Sequence, residues 1–325
     1  MCNERIIFNL KFINTEKTYE KPKIMDNIIE IKNLNFAFDK SKMILKDVNL
    51  KVPKGSIYGF LGSNGAGKST TMRLIMGLFN DDQNSVKVFG TSVSDLYPEG
   101  LNKIGSLIDY PAFYDHLSGY DNLKIVCILR NLKESRIDEV LELVGLSDAR
   151  NIKMRKYSLG MKQRLAIGLA LISNPELLVL DEPVNGLDPN GMKEVRELLI
   201  KLNQEHGVTI LISSHLLLEI EKMVTHIGII SNGEIKFEGS KADLNELYRF
   251  QKTRFSLKNA KSFESILAEN YQVDFKNETD CEIVTNSPNQ IAEINKILVT
   301  NGAEIYQISP AGGLEEWFME ISKQN

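Results

Sequence analysis

The stretch Gly62-Ser63-Asn64-Gly65-Ala66-Gly67-Lys68-Ser69 constrains the fold of this chain more than any other. Its spacing is G-x-x-x-x-G-K-[ST]. The apolar run Ile57-Tyr58-Gly59-Phe60-Leu61 precedes it and the helix-like Thr70-Thr71-Met72-Arg73-Leu74-Ile75-Met76 follows. Strand, glycine loop and helix in that order make a phosphate cradle. Glycines let successive backbone N–H groups converge on phosphate oxygens, and the positive end of the helix points at the same spot. Gly62 to Ser69, with Thr70, are therefore the expected phosphate-binding residues. Lys68 is placed to reach the outer phosphates, and Ser69 to offer a hydroxyl to Mg²⁺, which prefers oxygen ligands. A glycine-rich turn without a ligand is the competing reading, and the full match in its strand–helix context disfavours it.

A second stretch, Leu177-Leu178-Val179-Leu180-Asp181-Glu182, is an apolar strand that delivers two carboxylates at its end. Strand alternation sends the two side chains different ways. Asp181 can then hold Mg²⁺ through water while Glu182 polarises the water that attacks a terminal phosphate. Taken alone, the sextet equally fits a buried strand ending in two solvated acids. Beside a phosphate loop it reads as the other half of a nucleotide site.

Organisation follows from pattern. With 325 residues, one large domain and a small one are expected. Residues 1–27 read as an N-terminal extension whose charges interrupt any signal-peptide hydrophobic run. From Ile28, the runs Ile29 to Phe38 and Met43 to Val52 suggest an antiparallel β-layer, and Pro53-Lys54-Gly55 a turn into the phosphate-loop strand. Residues about 93–171 form a mostly helical insertion. Strand character at Leu177 to Leu180 and Val208 to Ser213, with a helix between, is a βαβ unit of a parallel sheet. Ile227 to Gly239 make a closing hairpin. Residues 241–325 read β-α-β-β-α-β-α, a small α+β domain of split-βαβ type.

Several motifs at these places resemble those of the nucleotide-binding subunit of an ATP-binding cassette (ABC) transporter, over about residues 28–240. Tyr157-Ser158-Leu159-Gly160-Met161-Lys162-Gln163-Arg164 looks like the family signature, Asn185-Gly186-Leu187-Asp188 like its D-loop, and His215 like its switch histidine. The resemblance implies an α/β fold: a P-loop NTPase cassette with a mixed sheet core, antiparallel β-layer and helical subdomain, followed by the α+β domain. It implies ATP and Mg²⁺ as ligands, Asp181, Ser69 and Asp109 near the metal, and Glu182, His215 and Asp109 in the chemistry. Phe38 aligns with the adenine-stacking aromatic, although an aromatic in a half-buried strand is often core. Ser158 caps a helix start that binds anions, and Gly160 keeps the approach open. In the family that anion belongs to ATP on a partner, which implies a head-to-tail homodimer with ATP sandwiched at Ser158 and Gly160, and Asp188 coupling the two sites.

The sequence departs from the family pattern at four positions. Tyr157, Leu159 and Met161 alter the common L-S-G-G-Q, and Asp109 occupies the position of the Q-loop glutamine. The segment Phe113 to Leu123 resembles the region that receives a coupling helix from a membrane partner; a loop with an aromatic anchor and a capped helix is the plainer reading. The C-terminal domain and the signature resemble subunits of exporters in the bacitracin-resistance and lantibiotic-immunity group. An ATPase that drives a separate transmembrane permease, for efflux of a peptide antibiotic or similar amphiphile, is the expected function. A cassette acting on a non-membrane partner and a non-hydrolysing ATP sensor are the rivals.

Composition agrees. Net charge is only −4 without a basic block, so no nucleic-acid partner is expected. Cys2, Cys127 and Cys281 are scattered and read as free thiols of a reducing cytoplasm. No apolar run approaches the roughly 18 residues needed to span a bilayer, so a position on the inner face of the membrane would depend on the permease.

Overall fold

The computed structural model describes residues 27–39, 42–96, 99–109, 112–248 and 252–323. The expected N-terminal extension, apart from Asn27, and Cys2 lie outside these residues.

In chain order, the cassette begins with strands β1 (Asn27–Ala37), β2 (Met43–Pro53) and β3 (Ile57–Leu61), then helix α1 (Lys68–Ile75). Strands β4 (Val86–Val88) and β5 (Thr91–Ser92), helix α2 (Val93–Leu96) and strand β6 (Ile104–Leu107) lead to helices α3 (Gly119–Leu129), α4 (Ser135–Leu143) and α5 (Leu159–Leu171). Strand β7 (Leu177–Asp181), α6 (Pro189–His206), β8 (Thr209–Ser214), α7 (Leu217–Glu221), β9 (His226–Ser231) and β10 (Glu234–Ser240) complete it. After α8 (Lys241–Tyr248) come β11 (Lys252–Leu257), α9 (Glu264–Ala268), β12 (Val273–Phe275), β13 (Asp280–Val284), α10 (Pro288–Thr300), β14 (Ile305–Pro310) and α11 (Leu314–Lys323).

The central sheet has six strands in the order β10-β9-β3-β8-β7-β6. Its five inner and far strands, β9-β3-β8-β7-β6, run parallel, and only β10 joins antiparallel. Strands buried on both faces read as continuous apolar runs, which is why Leu177-Leu178-Val179-Leu180 shows no polar alternation. Leu178, Leu180, Ile210 and Ile212 face one core with the helical subdomain. Leu177, Val179 and Leu211 face the other, shared with the antiparallel layer β2-β1-β4-β5 and α1. Each such side chain contributes about 1.5–3 kcal/mol by leaving water.

Helix α3 begins with a reciprocal capping box: Ser118 Oγ accepts from Asp121 N at 3.0 Å, and the Asp121 carboxylate accepts from Ser118 N at 3.2 Å. Tyr157 explains its departure from the signature. It is buried, donates its hydroxyl to Ala149 O at 2.8 Å, and fills the space that a Cβ at Gly119 would occupy, 2.3 Å from that hydroxyl. The aromatic ring therefore locks the start of the signature helix to the start of α3.

The small sheet is wholly antiparallel, in the order β12-β13-β11-β14, with α9 and α10 supplying Leu267, Ile294 and Leu298 to one face. The split-βαβ order is thus present. Helix α11 does not cover this sheet. Leu314 and Ile321 are buried in the cassette core beside Leu217 and Ile220 of α7, with Trp317 and Phe318 packed against it. Cys127 and Cys281 are free and buried, and burial pushes the Cys281 thiol up to about 11, which leaves it unreactive near neutrality.

Candidate active site

Parallel order puts the carboxyl ends of adjacent strands on one side of the sheet, where ligands of α/β folds collect. The registers are level there: Leu61 of β3 pairs with Ser214 of β8, Asp181 of β7 with Ser213, and Leu107 of β6 with Leu180. Each chain segment that leaves these ends carries one of the expected groups.

The cradle after β3 is closed by its own backbone. Ala66 N donates to Ser63 O at 3.1 Å, and Gly233 N to Ala66 O at 3.1 Å. Glycine is required at Gly62, where a Cβ would stand 2.6 Å from Ile230 O, and at Gly67, whose φ of 114° precedes α1. Lys68 is buried, and its ammonium donates to Gly62 O at 2.6 Å and Ser63 O at 3.3 Å. Ser63, Asn64, Gly65, Gly67, Lys68, Ser69 and Thr70 line a cleft of about 400 Å³ together with Phe38 and Glu182.

Glu182 is the hinge of the site. Its Oε1 lies 3.6 Å from Lys68 Nζ, and its Oε2 lies 2.7 Å from His215 Nδ1. Three segments distant in sequence thus meet as Lys68, Glu182 and His215. The Glu182 backbone has φ of 51°, a left-handed conformation that costs a glutamate about 1–3 kcal/mol. Ser213 holds it there, because Glu182 N donates to Ser213 Oγ at 3.0 Å and to Ser213 O at 3.2 Å, while the Ser213 hydroxyl donates to the Asp181 carboxylate. Ser213 was not singled out in the sequence; the available signal was a pair of hydroxyls, Ser213 and Ser214, closing a buried strand, where each must find a partner.

Phe38 is 62% exposed and meets Phe36 and Phe79 edge-on at 5.2 and 5.3 Å. Phe79, which no motif marked, stacks on Phe36 at 5.6 Å and so builds the wall behind Phe38. Asp109 is 76% exposed and lines a second cleft of about 250 Å³ with Gln163, Asp181, Glu182 and Asn185. Its nearest charged partner is Arg73, at 3.1 Å.

Ser158 caps α5, accepting from Met161 N at 3.2 Å, and Asp188 caps α6, accepting from Gly191 N at 3.1 Å. A Cβ at Gly160 would lie 3.8 Å from Gly191 Cα, so the two helix starts adjoin. Neither Ser158, Gly160 nor Asp188 lines the cleft that holds Lys68.

The donor set fits Mg²⁺ bound with a nucleotide. The Ser69 hydroxyl on the wall of the cradle and the Asp181 carboxylate supply a few oxygens, as suits an ion that keeps phosphates and waters as its other ligands. Among the described residues, no three His, Cys, Asp or Glu side chains gather into an all-protein metal cage.

Comparison with known proteins places the chain in a family. The ABC transporter family model matches residues 45–185. The bacitracin transport ATP-binding protein BcrA of Enterococcus faecalis is 39% identical over 301 residues, covering 92% of this chain and 97% of that protein. The lantibiotic transport ATP-binding protein SrtF of Streptococcus pyogenes is 42% identical over 69% of this chain and 97% of its own length. Among solved structures, cbiO1 of Clostridium perfringens, part of an ABC transporter complex, superimposes with a TM-score of 0.61 at 26% identity, covering 68% of this chain and 91% of that one. The ATP-binding cassette MJ0796, solved as a dimer in a post-hydrolysis state with ADP and phosphate, superimposes with a TM-score of 0.57 at 26% identity, covering 65% and 98%. Among the described residues no helix is long and apolar enough to cross a membrane. The chain belongs to the ATP-binding subunits of ABC transporters, enzymes that bind ATP and couple its hydrolysis to transport.

Proposed function

We propose that this chain powers a separate permease that exports a peptide antibiotic or similar amphiphile, working as a homodimer at the inner face of the membrane. The observation that carries the hydrolytic part is the meeting of Lys68, Glu182 and His215 at the edge of the phosphate cradle. Lys68 and the loop N–H groups bind the outer phosphates of ATP. Glu182 orients and polarises the attacking water, and His215 fixes the Glu182 carboxylate through its Nδ1. Phe38 stacks on the adenine, backed by Phe36 and Phe79. Ser69, and Asp181 through water, would hold Mg²⁺, which would supply positive charge to the phosphates.

The partner's share is supported by placement. Ser158 and Gly160 stand at a capped helix start away from the chain's own cradle, beside the Asp188 cap, as a surface offered to ATP on a second subunit requires. The export reading rests on BcrA and SrtF, whose likeness to this chain reaches 92% and 69% of its length. Purification of tagged chain from detergent-solubilised native membranes tests it. A polytopic membrane protein in stoichiometric amount, with ATPase activity stimulated by an amphiphilic peptide, is the expected result; a ribosome or another non-membrane partner in its place would overturn it.

A further inference from the structure

Arg73 belongs to α1, the helix that starts at Lys68, and its guanidinium is held on two sides. Nη2 lies 3.1 Å from Asp109 Oδ1, and Cζ lies 5.9 Å from the centroid of the Phe79 ring. Phe79 is itself fixed by stacking on Phe36. The aromatic wall behind Phe38 therefore aims a cation from the phosphate-binding helix at the acid that follows β6.

That acid needs a counter-charge. Asp109, Asp181 and Glu182 line one small cleft, and like charges brought together disfavour one another and repel an anionic ligand nearby. Glu182 has Lys68 at 3.6 Å, and Asp181 accepts from Ser213. Arg73 is the charged group placed against Asp109. An amide at position 109 would need no such partner, whereas a carboxylate left alone would add a third negative charge to the cleft it shares with Asp181 and Glu182.

We infer that Arg73 is a positioning residue for ATP hydrolysis: it neutralises and orients the Asp109 carboxylate, so that an acid can stand at the carboxyl end of β6 without weakening nucleotide binding. The inference rests on the proposed roles of the phosphate loop and the carboxylates. Among the described residues the acid that Arg73 meets is Asp109, so it acts through Asp109.

The test compares full-length R73M, R73K, D109N and R73M/D109N for ATPase rate, affinity for a fluorescent ATP analogue with Mg²⁺, and melting temperature. R73M should lower both rate and affinity by about fivefold, the scale of one well-placed ion pair. R73K should retain most of both. The decisive variant is R73M/D109N, which should regain the rate and affinity of D109N, because the stranded negative charge is gone. Loss of packing on Phe79 would weaken R73M equally but would not be relieved by D109N. R73M equal to wild type, or a double variant weaker than either single one, would overturn the inference. Undiminished hydrolysis in E182Q would instead show that the reading of the carboxylates themselves has failed, whatever Arg73 does.

Discussion

The central sheet of the cassette and the small sheet near the C-terminus are both strands covered by helices, yet only the first gathers its polar groups for use. In the cassette, parallel strands β3, β8, β7 and β6 end on the same side, and the loops after them bring Lys68, His215, Glu182 and Asp109 to one edge. In the small sheet, antiparallel order sends successive strand ends to opposite sides, and no such edge forms. Its charges satisfy one another instead. The buried Glu282 takes Arg254 Nε at 3.1 Å and Lys276 Nζ at 3.3 Å, and Lys276 reaches on to Asp274 at 2.7 Å. Charge that is fully paired on a sheet face stabilises a fold, while charge converging on a glycine cradle awaits a ligand.

Breaking each region should therefore give different losses. The largest effect is expected from Lys68→Ala, which removes the buried ammonium aimed at the phosphates; affinity for a fluorescent ATP analogue should fall about a hundredfold or more. Unchanged affinity would mean that the glycine loop is not the site. Next comes Leu314→Ala. By sequence this residue belongs to the small domain, but it packs in the cassette core, so it should cost about 2–4 kcal/mol and lower the melting of the cassette. Leu267→Ala, at a buried position of the small core, should destabilise only the small domain. The same packing changes what a C-terminal truncation means: all nucleotide motifs precede Gly239, yet removing α11 uncovers Leu217 and Ile220 behind the His215 loop. The smallest effect belongs to Glu282→Gln, expected to cost about 1–2 kcal/mol in thermal unfolding while leaving ATP affinity unchanged. Altered nucleotide binding in that variant would erase the contrast between the two sheets.

Much of the cassette was legible because its signals are local. The phosphate loop needs glycines at fixed offsets, the apolar run of β7 needs burial on both faces, and Ser158 and Asp188 cap helices that start within three residues of them. The split-βαβ order of the small domain was legible for the same reason. What escaped was set by partners far away in sequence. Ser213 matters because β8 lies beside β7, Phe79 because it stacks on Phe36, and Arg73 because α1 passes the end of β6. Trp317 and Phe318 sit on an amphipathic helix that could cover either core, and only the fold shows that it returns to α7, β9 and β10. Tyr157 looked like a departure from the signature until Gly119, thirty-eight positions earlier in the chain, proved to make room for it.

The central claim is that ATP is bound by the cradle and the partner's signature while Glu182 serves hydrolysis, so the two can be separated in one variant. Glu182→Gln keeps size and most hydrogen bonding but removes the charge that positions and polarises water; hydrolysis should fall by about two or more orders of magnitude while ATP stays bound. Light scattering of this variant with and without Mg-ATP is the most direct measurement. The account predicts a monomer without nucleotide and a stable dimer with it, in the absence of any membrane partner. A variant that stays monomeric in Mg-ATP and hydrolyses ATP at the wild-type rate would contradict both the role of Glu182 and the sandwich.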